Sequence, residues 1–268
     1  MQGRVQTLET LRQQVAALET SPLLAETLDL TTGLLATPRG SLHEVFADSL
    51  VNSGAALGFA LAQARRFIEP ARPGLLILQL KADAQEIGLP YGLELKTFGL
   101  DTDAIVLIRT DTIVELLWAM EEAIACRAVG AVVADIANPH KALDFTASRR
   151  LALRTSSSGA AVFVVRYARD REASAARFRW RVVPELSSAA PFDSRAPGPP
   201  RWRVTLEKGS LGKRRKATAE GEVFRVDWIG HEFVLADQSS RDITGAQDVA
   251  ALSGAAPAAL GDRLSEAG

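Results

Sequence analysis

The chain has 268 residues, of which 47% are hydrophobic and 24% charged, and a net charge of −1. That balance belongs to ordinary globular proteins and excludes the disordered and fibrous classes. No apolar run approaches the roughly 18 residues of a bilayer span, the N-terminus lacks a signal peptide's apolar core, and one cysteine, Cys126, excludes an intramolecular disulfide framework. The expectation is a cytoplasmic protein with no membrane partner.

Residues 4–19 place Val5, Leu8, Leu11, Val15 and Leu18 on one face of an amphipathic helix, which Ser21-Pro22 ends. That stripe packs either on the chain's own core or on a neighbouring subunit or partner. Residues 1–30 read as an N-terminal helical segment. A short strand over 42–46 is followed by a polar turn and a helix from Ser53 to Arg66. Gly74–Leu80 is a continuous apolar run of the kind buried in parallel sheets. Residues 81–91 read as a loop, with Pro90 opening another helix. A third strand is predicted over 104–108. Asp111 is the expected cap of a helix to about Arg127, with Ile113, Leu116, Leu117, Met120 and Ile124 as its buried stripe. Cys126 on this helix reads as a small core hydrophobe and Trp118 as packing. Val129–Ile136 is a fourth strand carrying Asp135 near its end, Asp144 caps a helix to about Ser157, and 160–165 is a fifth strand. Strands alternating with helices argue for right-handed crossovers and a mainly parallel twisted sheet flanked by helices.

The pattern then changes. Short strands over 177–183, 202–206, 223–229 and 232–235 follow without helices between them, the last two joined by a turn at Gly230-His231. They are expected to extend the sheet in an antiparallel manner towards the C-terminus. Residues 187–200, with Pro191, Pro197, Pro199 and Pro200, read as a surface loop. The fold class is therefore α/β, with a core over 31–237 and an Ala/Gly-rich acidic tail over 238–268 of the kind that carries partner contacts.

The strand, turn and helix of residues 40–66 stand where a nucleotide-binding protein carries G-x-x-x-x-G-K-[ST]. The first Gly falls on Ala47, the second on Asn52, the Lys on Ser53 and the Ser/Thr on Gly54. A phosphate cradle needs glycines that let backbone N–H groups turn inward and a lysine that neutralises phosphate oxygens. These positions supply neither, so no nucleotide cofactor is expected. Asp135 has the place of a Mg²⁺-holding carboxylate, yet lacks the lysine and hydroxyl that accompany it. His43, His140 and His231 are far apart with no zinc spacing, and no G-x-G-x-x-G or G-x-S-x-G occurs. His43 alternates with core residues and reads as a satisfied structural histidine. The expectation is a protein without catalytic residues, metal or cofactor.

Charge is unevenly distributed. Residues 149–225 hold 18 Lys/Arg against 7 Asp/Glu. Such a block suits nucleic acid or an acidic partner, or else a solvated face or pairing with acidic segments within the fold. The candidate contacts are Arg166, Arg169, Arg171 and Arg177, with the exposed run Lys213-Arg214-Arg215-Lys216. Phe178 and Trp180 alternate with Arg177, Arg179 and Arg181, so the rings are expected to pack inward and the arginines to face solvent.

Several segments resemble the ImuA family, RecA-like accessory proteins of bacterial mutagenic translesion synthesis. They are Pro38-Arg39-Gly40-Ser41-Leu42-His43-Glu44-Val45, Gly88-Leu89-Pro90-Tyr91-Gly92 and Phe98-Gly99-Leu100-Asp101. The most specific is Leu117-Trp118-Ala119-Met120-Glu121-Glu122-Ala123, followed by Thr146-Ala147-Ser148-Arg149-Arg150-Leu151-Ala152-Leu153. Arg179-Trp180-Arg181-Val182 and Arg201-Trp202-Arg203-Val204 fit later strands, so the resemblance spans residues 38–230. It implies a RecA-like fold with a degenerate ATP site. Lys81 stands where a RecA ATPase carries its water-polarising carboxylate, and Glu86 is off register. The connection after Asp135 is short, and the one after Val165 lacks the glycine-rich stretch of a RecA DNA-binding loop. The resemblance implies an SOS-response adaptor whose partners are an ImuB-type polymerase-like protein and an error-prone C-family polymerase, with RecA, single-stranded DNA or a second copy as further partners. A SulA-type division inhibitor and an active ATPase are the competing readings.

Overall fold

The computed structural model describes residues 33–190, 192–211 and 221–236. Strands and helices alternate from β1 (Leu42–Ala47) through α1 (Ser53–Arg65), β2 (Gly74–Leu80), α2 (Lys81–Ile87) and α3 (Gly92–Thr97). They continue as β3 (Ile105–Thr110), α4 (Ile113–Ala125), β4 (Val129–Ile136), α5 (Phe145–Ser158) and β5 (Ala161–Tyr167). Strands β6 (Phe178–Glu185), β7 (Ala189–Ala190), β8 (Asp193–Pro197), β9 (Arg201–Lys208), β10 (Val223–Ile229) and β11 (Glu232–Leu235) follow. Among the described residues a nine-stranded sheet runs in the order β11-β10-β9-β6-β1-β5-β4-β2-β3. The six strands from β6 to β3 are mutually parallel, and β9, β10 and β11 are antiparallel additions. This is a RecA-like α/β fold.

The strand sequences explain the layering. All eight residues of β4 are buried, as a strand covered on both faces requires. One face presents Val45, Ala47, Ile77, Val133 and Val165 to α1, whose Phe59, Ala60 and Ala64 are buried against them. The other presents Leu78, Val132, Ala134, Val162 and Val164 to Leu116, Met120 and Ile124 of α4 and to Ala147 and Leu151 of α5. Towards β11 the first face continues as an aromatic layer of Trp180, Trp202, Trp228 and Phe233 around Phe59. Each such side chain contributes about 1.5–3 kcal/mol by leaving water. Gly130 has to be glycine, because a Cβ there would lie 2.5 Å from the Phe67 carbonyl oxygen.

Five local expectations are corrected. Residues 81–91 hold helix α2, not only a loop. Its sequence KADAQEI has no apolar stripe, and it is held by Asp83, whose carboxylate accepts from the Ala137 amide at 2.8 Å. Strand β6 joins β1 in parallel, because residues 168–177 carry the chain back to the start of the sheet before β6 begins. The cap of α4 is Thr112, not Asp111. Its hydroxyl accepts from the Glu115 amide while Glu115 accepts from the Thr112 amide, a reciprocal capping box. Cys126 follows α4 and is exposed, so it is not a core residue. The surface loop over 187–200 contains the short antiparallel β7–β8 pair. Gly230 and His231 form the predicted turn between β10 and β11, both with positive φ (58° and 64°). The candidate residues Lys213, Arg214, Arg215 and Lys216 lie outside the described residues, as do residues 1–30 and the tail from 238.

Candidate functional site

In open α/β sheets ligands gather at the carboxyl ends of the strands. Here β1 ends in Ala47, and the eight positions aligned with a phosphate cradle follow from there. Ser49 caps a single 3-10 turn over Leu50–Asn52: its hydroxyl accepts from the Val51 amide at 3.3 Å and its carbonyl from the Asn52 amide at 3.1 Å. The Ser53 amide donates to the Leu50 carbonyl. Three amides that a phosphate cradle would turn inward are therefore spent within the loop. Val51 projects into solvent at 91% exposure. Gly54 opens onto empty space, so no close backbone approach demands a glycine there.

Asp48 stands at the mouth of the loop. Its carboxylate accepts from Arg171 Nη2 at 3.0 Å and from Arg181 Nε at 2.9 Å. These hydrogen bonds, led by that of Arg181, hold the Asp48 carboxyl below its ordinary pKa. An internal anion thus pairs with both of these guanidinium groups.

Asp135 is buried at the end of β4. It accepts from the Tyr167 hydroxyl at 2.5 Å and from Gln79 Nε2 at 3.0 Å. Burial raises its pKa to about 6, against the two hydrogen bonds and with help from nearby Asp83. Burial also raises the Tyr167 phenol, and the Asp135 charge adds to it. Lys81, first residue of α2, pairs with Asp111 at 2.7 Å on the surface. Glu86 accepts from Asn138 Nδ2 at 3.3 Å, and Asp83 accepts from the same nitrogen at 3.1 Å. The carboxylates here secure the connection after β4 to α2. Among the described residues no group of three His, Cys, Asp or Glu side chains is placed to hold a metal ion.

The basic block divides in two. Arg166, at the end of β5, lies 2.7 Å from Glu172 and 3.8 Å from Glu44. Arg171 bridges Asp48 and Glu207, the latter at 2.9 Å, and stacks 4.2 Å above the Phe46 ring. Arg179 grips Glu44 at 2.7 Å. Arg179 and Arg181 therefore turn onto Glu44 of β1 and Asp48 of the loop after it, and do not simply face solvent. Phe178 and Trp180 pack inward, 1% and 0% exposed. Arg169 and Arg177 are exposed, and the Arg177 guanidinium lies 5.6 Å from the Phe178 ring centre. Internal pairing was one of the readings the sequence left open, but the particular pairs need one fact the sequence lacks, that β6 lies beside β1. With that, Glu44 opposite Arg179 and Phe46 opposite Arg181 follow from the register.

His43 lies in the sheet beneath this network, stacked between Phe163 and Phe178 with ring centres at 4.5 and 4.9 Å. Its Nδ1 accepts from Trp180 Nε1 at 3.2 Å while Nε2 has no partner, so it is half satisfied and not fully so. Burial, with a smaller push from Arg177, lowers its pKa to about 3.

Beside the loop, α1, α3 and the ends of β6 and β9 enclose an apolar groove of about 610 Å³ with Leu57, Tyr91, Phe98 and Trp202 in its walls. Among the described residues no helix is long and apolar enough to cross a membrane.

The chain is 31% identical over 188 residues to Protein ImuA of Caulobacter vibrioides strain NA1000 / CB15N, covering 66% of this chain and 72% of that protein. The same figures hold for Protein ImuA of strain ATCC 19089 / CIP 103742 / CB 15. No protein-family model matches the chain.

Proposed function

This chain belongs to the ImuA family, and from that membership we propose that it is a non-enzymatic, RecA-like adaptor of SOS-induced mutagenic translesion synthesis. It links an ImuB-type polymerase-like protein and an error-prone C-family polymerase to damaged DNA or to RecA, and acts in the cytoplasm. The observation that carries the reading is the loop after β1. Asp48 holds Arg171 and Arg181, and the amides of Val51, Asn52 and Ser53 are spent inside the loop. Such a loop favours work by contact over turnover of a triphosphate.

For an anionic partner the reading assigns Arg169, Arg177 and the run from Lys213 to Lys216. Arg166 and Arg171 serve the fold through their ion pairs. Deleting the gene tests the role: damage-induced mutation is expected to fall to the uninduced level. Filamentation on overexpression without DNA damage, with induced mutation intact in the deletion strain, would instead identify a division inhibitor.

A further inference from the structure

Helices α4 and α5 cover the sheet on the side away from α1, and their outer surfaces are unusual in two ways. The first is apolar exposure. Val114 and Trp118 on α4 are 67% and 65% exposed, and Leu153 and Phe145 on α5 are 63% and 49% exposed. The other three tryptophans, Trp180, Trp202 and Trp228, are buried. An exposed cluster of this kind marks an interaction surface more often than a scattered single side chain does. The second is charge segregation. Helix α4 carries Glu115, Glu121 and Glu122 and no basic residue, whereas α5 carries Arg149, Arg150 and Arg154 and no acidic one. Glu121 holds Arg150 at 3.2 Å and Arg154 at 3.0 Å within the chain. Glu122 and Arg149 face outward without an ion pair among the described residues.

Spacing by four aligns Val114, Trp118 and Glu122 along α4 and Phe145, Arg149 and Leu153 along α5. The Glu121 ion pairs set the level of the two helices: residue 121 stands between 150 and 154, so Trp118 is level with Arg149 and Val114 with Phe145. A groove of about 470 Å³, walled by Val114, Trp118, Thr146 and Arg150, runs between them. A two-fold rotation about an axis lying along that groove keeps these levels and exchanges the helices. It lays α4 of one copy over α5 of the other.

We propose that this face is a self-complementary interface between two copies of the chain. Trp118 of one copy meets Arg149 of the other as a cation–π pair, and Val114 meets Phe145. Glu122 of each copy stands level with the partner's Leu153, one turn from the partner's Arg149, and each of these contacts occurs twice, as an isologous interface requires. A nucleic acid fits the face less well, because Glu122 and Glu115 would stand against its phosphates. An all-acidic or all-basic protein partner would repel one helix while attracting the other.

The test is sedimentation equilibrium of the full chain from about 1 µM to about 100 µM, with acrylamide quenching of tryptophan fluorescence as second readout. The wild type is expected to dimerise with concentration and to lose its one quenchable tryptophan as it does. Trp118→Ala and Arg149→Glu are each expected to weaken the dimer about tenfold or more. Both positions are exposed, and circular dichroism checks that the variants are folded. An equimolar mixture of the two is expected to recover part of the association, because the mixed dimer keeps one intact Trp118–Arg149 pair. The proposal is overturned by a monomer throughout the range, or by a dimer indifferent to both substitutions. It is equally overturned by a mixture no stronger than its components, or by Trp118 of a monomeric chain becoming shielded only when another protein or an oligonucleotide is added.

Discussion

The carboxylate of Asp48 and the guanidinium of Arg171 meet at 3.0 Å at the mouth of the loop after β1. The pair joins the loop after β1 to the connection that follows β5. Arg181 holds the other carboxylate oxygen. Asp48→Ala leaves two guanidinium groups without their anion and is expected to lower stability by about 1–3 kcal/mol at pH 7. The folded-state pKa of Asp48 is depressed, so its contribution is present above the ordinary carboxylate pKa and lost as pH falls through the lowered value. Urea midpoints of wild type and variant at pH 7 and in acid check both statements.

Glu44 is the buried counterpart, 5% exposed, with Arg179 at 2.7 Å, the Ser174 hydroxyl at 2.7 Å and Arg166 at 3.8 Å. Removing one member of a buried ion group leaves charge uncompensated, which typically costs about 3–5 kcal/mol. Glu44→Gln is therefore expected to be far more damaging than Arg169→Ala, whose side chain is exposed and whose loss should change stability by less than about 0.5 kcal/mol. Thermal melts of the two variants rank them.

These two networks also mark how far the sequence could be read. The continuous apolar run of β2 identified a strand buried on both faces, Asp144 marked the start of α5, and Gly230-His231 marked a turn. Local chemistry decides all of these. Helix α2 was missed because Asp83 holds it through Ala137, 54 residues away. The direction of β6 depends on a connection that lacks a helix. The basic block was left open between an external partner and internal pairing. Glu44 pairs with Arg166 and Arg179 and Asp48 with Arg171 and Arg181, and this pairing becomes visible only once β6 lies beside β1.

His43 carries a pH signature. Its folded pKa of about 3 lies below the ordinary 6.5, so the unfolded chain binds a proton that the folded chain refuses. The histidine's share of stability is complete above pH 6.5 and declines as pH falls, by about 1.4 kcal/mol per unit, until the folded pKa is reached. Asp135 works in the opposite sense. Its raised pKa of about 6 adds stability as pH falls towards the ordinary carboxylate value. His43→Phe keeps a ring between Phe163 and Phe178 and removes the titration. Between pH 6.5 and 5 the variant is expected to lose less stability than wild type by about 2 kcal/mol, read from urea midpoints at the two pH values.

Salt dependence separates an electrostatic nucleic-acid contact from none. If the run from Lys213 to Lys216 and Arg169 touch phosphates, replacing the four-residue run by alanine should weaken single-strand binding at low salt. It should also flatten the slope of affinity against salt by about 0.7 per lost contact. An unchanged slope in a fluorescence-anisotropy titration removes that run as a contact.

The most direct measurement is a calorimetric titration of the full chain with ATP and Mg²⁺, followed by an assay for released phosphate. Within the loop from Ala47 to Gly54 the amides of Val51, Asn52 and Ser53 are bonded internally, and Asp48 pairs with Arg171 and Arg181, so no binding heat and no hydrolysis are expected. Tight, magnesium-dependent uptake of ATP with turnover would contradict a protein that works by contact.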